Sequence, residues 1–244
     1  MRHGFVKVAA ATPDIRVADV EFNKENICRG IEEAEKANAK ILVFPELCVT
    51  GYTCSDLFDH AVLLKAAKKA LLEIAEFTRD RDLLVFVGVP LEVDGKLYNV
   101  AAALNHGKIL GLTTKTFLPN YGEFYEMRQF RPGPDTARWI TLDGKKIPFG
   151  PQLLFVAEQM EELVVSAEIC EDVWSPIPPS TLAAREGATV IVNCSASDET
   201  IGKAAYRESL IEGQSARLIC GYIYANAGEG ESTTDLVFGG HNII

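Results

Sequence analysis

The sequence predicts an α/β fold, and three observations predict it. Short runs that are apolar at every position alternate with amphipathic helical stretches, the pattern of strands covered on both faces. A period-two segment with two turn signals follows the third such run and adds antiparallel character. No repeat, low-complexity tract or linker divides the 244 residues, so one domain is expected over 1–244.

The elements follow in order. Residues 6–11 form a short apolar run that ends at Thr12-Pro13 and read as a buried strand. Ile27, Ile31, Ala34 and Ala37 recur at helical spacing, with Lys24, Glu25, Glu32, Glu33 and Lys36 on the other face. That pattern predicts a helix over 22–38. Residues 40–46 read as a strand, and 61–78 as a helix with Leu64, Ala67, Leu71, Ile74 and Phe77 on one side. Another apolar strand spans 83–89. The meander over 91–111 then turns at Asp94-Gly95 and His106-Gly107. Residues 121–151 are rich in aromatic residues, Pro and Gly with little periodicity, and read as a long functional loop. Regular structure resumes with a strand over 163–170, a helix over 180–186, a strand over 189–194, a helix over 204–218 and a strand over 221–226. Residues 238–244 read as a strand just beginning, so the domain is expected to be truncated at its C-terminus.

Composition narrows the function. With 34 acidic and 24 basic side chains the net charge is −10, and such a field repels nucleic-acid phosphates. No apolar run reaches the roughly 18 residues of a membrane span, and Met1-Arg-His-Gly4 leads straight into a strand rather than a signal peptide. A soluble cytoplasmic protein is expected. The six cysteines include no C-x-x-C pair and the four histidines are scattered, so neither a disulfide framework nor a zinc site is expected. Most of these thiols read as small buried hydrophobes.

Phosphate-loop, serine-hydrolase and zincin motifs are missing. What remains is positional. Reactive groups in open α/β sheets gather at the carboxyl ends of strands. Glu46, Lys115 and Cys170 each occupy such an end. A thiol, a carboxylate and an ammonium make a working acyl-transfer site: nucleophile, proton carrier and oxyanion partner. Taken singly, each has a plainer reading, as a core cysteine, a strand-end acid and a surface lysine.

The words around these residues resemble the carbon–nitrogen hydrolase (nitrilase) superfamily. Phe44-Pro-Glu46-Leu-Cys-Val-Thr-Gly-Tyr52 is similar to its glutamate motif, and Lys115-Thr-Phe-Leu-Pro-Asn-Tyr-Gly-Glu123 to its lysine motif. Glu168-Ile-Cys170-Glu-Asp-Val-Trp174 is similar to its cysteine motif. Thr50–Phe58, Leu118–Glu126, Cys170–Trp174 and Asn193–Ser197 further resemble the amidase domain of the glutamine-dependent NAD synthetases. The resemblance implies a four-layer αββα sandwich that hydrolyses L-glutamine to glutamate and ammonia through a glutamyl thioester. It implies Cys170 as nucleophile, Glu46 as general base, Lys115 as oxyanion partner and Glu123 as the acid that holds Lys115 in place or tunes its charge. It also implies a glutamine pocket of Tyr52, Tyr121, Phe124, Glu171, Ser197 and Lys203. No cofactor is implied for this domain. ATP and Mg²⁺ belong to a C-terminal synthetase domain that converts nicotinic acid adenine dinucleotide to NAD, and its Ser-Gly-Gly-x-Asp-Ser loop is absent here. L-glutamine, that synthetase domain and further copies of the chain are the expected partners. Two alternatives stay open: a stand-alone amidase acting on another ω-amide, and an inactive oligomerisation or docking module.

Overall fold

A computed structural model of the protein describes residues 4–244; Met1, Arg2 and His3, at the start that reads as no signal peptide, lie outside the described residues. Two sheets stack face to face. The first contains β1 (Val8–Ala10), β2 (Ile41–Val43), β3 (Leu84–Val93), β4 (Lys96–Asn105), β5 (Lys108–Thr114), β6 (Arg138–Leu142) and β7 (Lys145–Gly150), in the order β1-β2-β3-β4-β5-β7-β6. The second contains β8 (Leu154–Ala157), β9 (Met160–Ile169), β10 (Val190–Ser195) and β11 (Gly221–Asn226), in the order β11-β10-β9-β8. Helices α1 (Val20–Lys36) and α2 (Ala61–Phe77) accompany the first sheet, a single turn α3 (Glu126–Gln129) follows β5, and α4 (Pro179–Arg185) and α5 (Lys203–Leu218) accompany the second.

Side-chain alternation along the strands makes this a four-layer αββα sandwich. Val85, Val87 and Val89 of β3, with Val100, Ala102 and Leu104 of β4, pack with Ile27, Ile31, Leu71 and Ile74 of α1 and α2. The residues between them in sequence face the other way. Ile41, Val43, Phe86, Ala101 and Ala103 meet Val165, Ala167, Ile169, Val192, Cys194 and Ile223 between the sheets. Beyond the second sheet, Ile191, Tyr222 and Tyr224 pack with Ala183 and Ile211 of α4 and α5. Helix α1 starts where the Asp19 carboxylate accepts the Phe22 N–H at 3.2 Å, and α5 stops where Ile219 turns left-handed at φ +55°.

Several expectations are refined. The strand expected over 40–46 ends at Val43, because residues 44–50 turn out of the sheet and carry Glu46 with them. β3 runs through Pro90 to Val93 as one strand, antiparallel to β4. The segment 121–151 is not one long loop. It holds α3 and a hairpin of β6 and β7 turning at Asp143-Gly144, both at positive φ. β8, unexpected from the sequence, pairs antiparallel with β9 across a turn at exposed Glu158 and Gln159, and Glu161 and Glu162 are exposed near the start of β9. Near the C-terminal end of the chain, Ile243 makes one antiparallel bridge with Tyr224. All six cysteines are free and five are buried.

Candidate active site

A small set of buried polar groups links the two sheets. Glu46 lies past the end of β2, Lys115 directly follows β5, and Cys170 directly follows β9. All three are buried, with Glu46 at 0% exposure, Lys115 at 1% and Cys170 at 6%. Groups of this polarity are buried only where partners compensate the lost water, and here they do. The Glu46 carboxylate accepts from Lys115 Nζ at 2.6 Å and Asn99 Nδ2 at 2.6 Å through Oε1, and from the Ala196 N–H at 3.0 Å through Oε2. Asn99 belongs to β4 and its carbonyl also accepts the Lys115 N–H at 3.0 Å, so one residue registers the Glu46 carboxylate and the Lys115 ammonium together.

The acid on the far side of Lys115 is Glu126, not Glu123. Lys115 Nζ donates to Glu126 Oε1 at 2.6 Å, and the Tyr52 phenol donates to the same oxygen at 2.8 Å. Glu126 opens the one-turn helix α3 and points inward at 5% exposure, whereas Glu123, three residues earlier, is only partly buried. Burial pushes the Glu126 carboxyl up to about 7, opposed by Lys115 and reinforced by Glu46. Burial also works to strip Lys115 of its proton, but the Glu126 and Glu46 carboxylates outweigh it and hold the ammonium well above the usual lysine range.

Cys170 stands on a strained turn. Its φ is +42°, a conformation unfavourable for a residue with a Cβ. The strain is held from behind: the Cys170 N–H donates to Asn193 Oδ1 at 2.9 Å, Asn193 Nδ2 donates to the Tyr222 hydroxyl at 3.1 Å, and that hydroxyl hydrogen-bonds Glu168. Asp172, two residues on, accepts the Ile169 N–H at 2.9 Å and the Thr116 and Phe117 N–H groups at 3.0 and 2.8 Å. It thereby ties the lysine loop to the cysteine turn. Burial and the neighbouring Glu46 carboxylate push the Cys170 thiol well up, while Lys115 pulls it down. At rest Cys170 is therefore a thiol with the Glu46 carboxylate beside it. The Glu171 N–H lies in the first turn of the 3-10 helix Cys170–Trp174, where helix donors lack an internal partner.

The other sequence-predicted residues gather around this centre. Tyr121 donates its hydroxyl to both Glu171 oxygens, at 2.9 and 3.0 Å. Phe124 meets Tyr52 and Tyr121 edge-on, with ring centroids 6.5 and 6.0 Å apart. Lys203 opens α5, pairs with buried Asp198, and lies 5.7 Å from the Phe124 ring and 5.8 Å from that of Trp174. Trp174 stacks on Tyr206, with centroids 5.5 Å apart. Ser197 is fixed through its N–H to Asn226 Oδ1 at 2.8 Å, and its hydroxyl accepts Nε and Nη2 of Arg207 at 3.3 and 3.2 Å. A cleft of about 450 Å³ lined by Glu123, Phe124, Arg128 and Asp235, among others, reaches Tyr52 and Glu126 of this cluster but not Cys170.

Sequence reasoning missed Glu126, Asn99, Asn193 and Arg207. Glu126 is within reach of the sequence, since it closes the Leu118–Glu126 motif that also contains Glu123. Arg207 gave no signal: a charged residue inside an amphipathic helix normally faces water, yet it is 0% exposed and its guanidinium also reaches the Asp198 carbonyl, Glu199 and His241. His60 is exposed and precedes α2 without a side-chain cap bond. Among the described residues no group of three His, Cys, Asp or Glu side chains could hold a metal ion, and no helix is long and apolar enough to cross a membrane.

The chain is similar to known proteins in sequence and fold. The carbon–nitrogen hydrolase family model matches residues 7–241. A glutamine-dependent NAD(+) synthetase of Mycobacterium leprae is 41% identical over 241 residues, 99% of this chain and 35% of that protein; its counterpart in Aquifex aeolicus is 35% identical over 98% of this chain and 38% of its own length. The chain thus spans little more than a third of these relatives. A crystal structure of a glutamine-dependent NAD(+) synthetase from Cytophaga hutchinsonii superposes with a TM-score of 0.87 at 33% identity, over 97% of this chain and 38% of that one. An amidase from Nesterenkonia, 21% identical, shares the fold with a TM-score of 0.75 over 100% of this chain and 83% of its own. On the family model and these relatives, the chain belongs to the carbon–nitrogen hydrolase family.

Proposed function

We propose that this chain hydrolyses L-glutamine to glutamate and ammonia through a glutamyl thioester on Cys170. The observation that carries the reading is the Glu46–Lys115–Glu126 row of buried charges beside a thiol on a strained strand end. Glutamine as the substrate rests on the names of the relatives.

In this reading Cys170 Sγ attacks the side-chain amide carbon while its proton passes to Glu46. The carbonyl π pair becomes an oxyanion held by the Lys115 ammonium and the Glu171 N–H. Glu46 returns the proton to nitrogen, the C–N bond breaks with its electron pair on nitrogen, and ammonia leaves. Water then adds to the thioester carbon and gives a proton to Glu46. The C–S bond breaks, and the thiol recovers its proton. Glu171, braced by Tyr121, suits the α-ammonium of glutamine. Lys203 and the Ser197 hydroxyl suit its α-carboxylate, with Lys203 shared with Asp198. The aromatic rings of Tyr52, Tyr121 and Phe124 enclose the aliphatic part of the side chain.

The same proposal covers the remainder of the protein. The ammonia serves a C-terminal synthetase domain that amidates nicotinic acid adenine dinucleotide to NAD with ATP and Mg²⁺, in a cytoplasmic homo-oligomer. The test is glutamate and ammonia release from L-glutamine by wild type beside Cys170→Ala. Release by wild type and none by a folded Cys170→Ala variant is expected, since the substitution removes one small group. Turnover of other ω-amides with none of glutamine would overturn the substrate. Wild-type silence on every amide, with Cys170 no more reactive than the other thiols, would overturn the enzyme in favour of a docking module.

A further inference from the structure

Glu231 is a buried acid with no part in the reaction above. It closes the short 3-10 turn Glu229–Glu231 after β11 and is 0% exposed. One carboxyl oxygen, Oε2, accepts the Tyr52 N–H, its own main-chain carbonyl accepts the Thr53 hydroxyl at 2.8 Å, and the second carboxyl oxygen, Oε1, has no partner among the described residues. The turn itself cannot move away. A Cβ on Gly230 would stand 2.3 Å from the Ile15 carbonyl oxygen, and one on Gly228 would stand 2.6 Å from Thr12 Cγ2, so this backbone lies hard against residues 12–15.

Tyr52, gripped at its backbone by Glu231, is held at its ring by Phe124 and by Phe238, whose centroid is 6.1 Å away. Its hydroxyl ends on Glu126 Oε1, the oxygen that also takes Lys115, and Lys115 reaches on to Glu46. A continuous file of hydrogen bonds and one side chain therefore joins Glu231 to the base. We propose that Glu231 is a positioning residue: it fixes the Tyr52 backbone so that the phenol stays on Glu126, and Glu126 in turn keeps the Lys115 ammonium aimed at Glu46 and the nucleophile. The role rests on the proposed hydrolysis at Cys170.

Charge separates this role from a simple ion-pair support. The titratable groups acting on or facing the Glu231 carboxyl are Glu46, Cys48 and Cys54, and none is a cation. Burial raises the carboxyl to about 8, so at neutral pH it is uncharged and works as a hydrogen-bond acceptor. A glutamine offers the same acceptor. On the other side, Glu126 faces Lys115, Glu46 and Tyr52, and the Tyr52 hydrogen bond favours its ionised form. Withdrawing Tyr52 makes Glu126 take up a proton at higher pH, which uncouples it from Lys115.

The experiment compares full-chain wild type, Glu231→Gln, Glu231→Ala and Tyr52→Phe by pH-dependent glutamine hydrolysis. Alongside, iodoacetamide alkylation of Cys170 is followed on its own peptide, a readout that needs no substrate. Glu231→Ala should lower kcat by about tenfold with KM within about twofold, and shift the acid limb of both profiles to higher pH. Glu231→Gln should stay near wild type, and Tyr52→Phe should show the same limb shift and add little in the Glu231→Ala background. Where Glu231→Ala fails to fold, Glu231→Asp, which shortens the reach by one methylene, takes its place. Unmoved limbs, additive Tyr52 and Glu231 effects, or Glu231→Gln as impaired as Glu231→Ala would overturn the role. A wild type inert on glutamine whose alkylation limb still moves in Glu231→Ala would overturn the substrate and leave Glu231 in place. Active wild type with both limbs unmoved would overturn Glu231 alone.

Discussion

Replacing Gly88 with alanine should displace Glu46, the proposed base, from outside the site. Gly88 sits in the middle of β3, and the turn that carries Glu46 crosses directly over it. A Cβ there would stand 2.3 Å from the Leu47 nitrogen, 2.4 Å from the Pro45 carbonyl oxygen and 2.7 Å from the Glu46 carbonyl carbon, where ordinary contact begins near 3.4 Å. All three atoms are backbone, so no rotamer change relieves the clash, and the turn must lift by about 1 Å. Glu46 goes with it. Its contacts to Lys115, Asn99 and Ala196 stand at 2.6, 2.6 and 3.0 Å, and a lift of that size takes them to or beyond the limit of a hydrogen bond. A misplacement of about 1 Å costs on the order of 100-fold in rate, and overpacking a close-packed site costs about 1–3 kcal/mol of stability. Steady-state ammonia release with thermal melts measures both. Gly213→Ala is the control: on the exposed side of α5, with nothing within 4 Å of the added Cβ, the same chemical change should leave the rate alone and add about 0.4–1 kcal/mol. A folded Gly88→Ala variant with kcat/KM within about twofold of wild type would refute the reasoning.

Two further outcomes concern the buried charges. Lys115→Met should abolish hydrolysis and cost roughly 3–5 kcal/mol, because it leaves Glu46 and Glu126 buried without their shared cation. The loss should deepen as pH rises and the acids ionise, so melts at acidic and alkaline pH that both match wild type would count against it. For Glu231, the folded carboxyl keeps its proton up to about 8 whereas an ordinary one loses it near 4.5. The folded state therefore binds more protons across that window, and stability falls as pH rises through it. Glu126, raised to about 7, and Asp172, raised to about 8 by burial, act in the same direction. Glu231→Gln should remove one share of the decline, and parallel melting curves for variant and wild type would contradict it.

What could be read in advance had a common physical character. β2 and the first part of β3 announced themselves because strands covered on both faces are apolar at nearly every position, and β9, β10 and β11 did so as mostly apolar runs broken by Ser166, Glu168, Asn193 and Asn226. Glu46, Lys115 and Cys170 stood out as polar residues at the ends of such runs. The β6–β7 hairpin did not, because it lies at the sheet edge and carries Arg138, Lys145, Lys146 and Pro148 where a buried strand would be apolar. Its Asp143-Gly144 turn was the one available signal. Glu126 and Glu231 share another cause. Each lies in a helical segment of three or four residues, too short for periodicity to reveal an inward face, and Gly-Glu-Gly-Glu231 has the composition of an exposed loop. Arg207 is buried against the usual preference of its type, and only tertiary contacts make that sensible.

The site does not belong to either sheet. Glu46 and Lys115 issue from the first and Cys170 from the second, and the seam is stitched where Glu46 takes the Ala196 N–H and where Asp172 takes those of Thr116 and Phe117. Catalytic alignment is then a measure of how one sheet seats on the other. Heat or pressure that lets the two slabs slip would silence the enzyme while every strand kept its own hydrogen-bonded ladder. Inactivation would run ahead of unfolding, and activity would serve as the finer gauge of the sandwich.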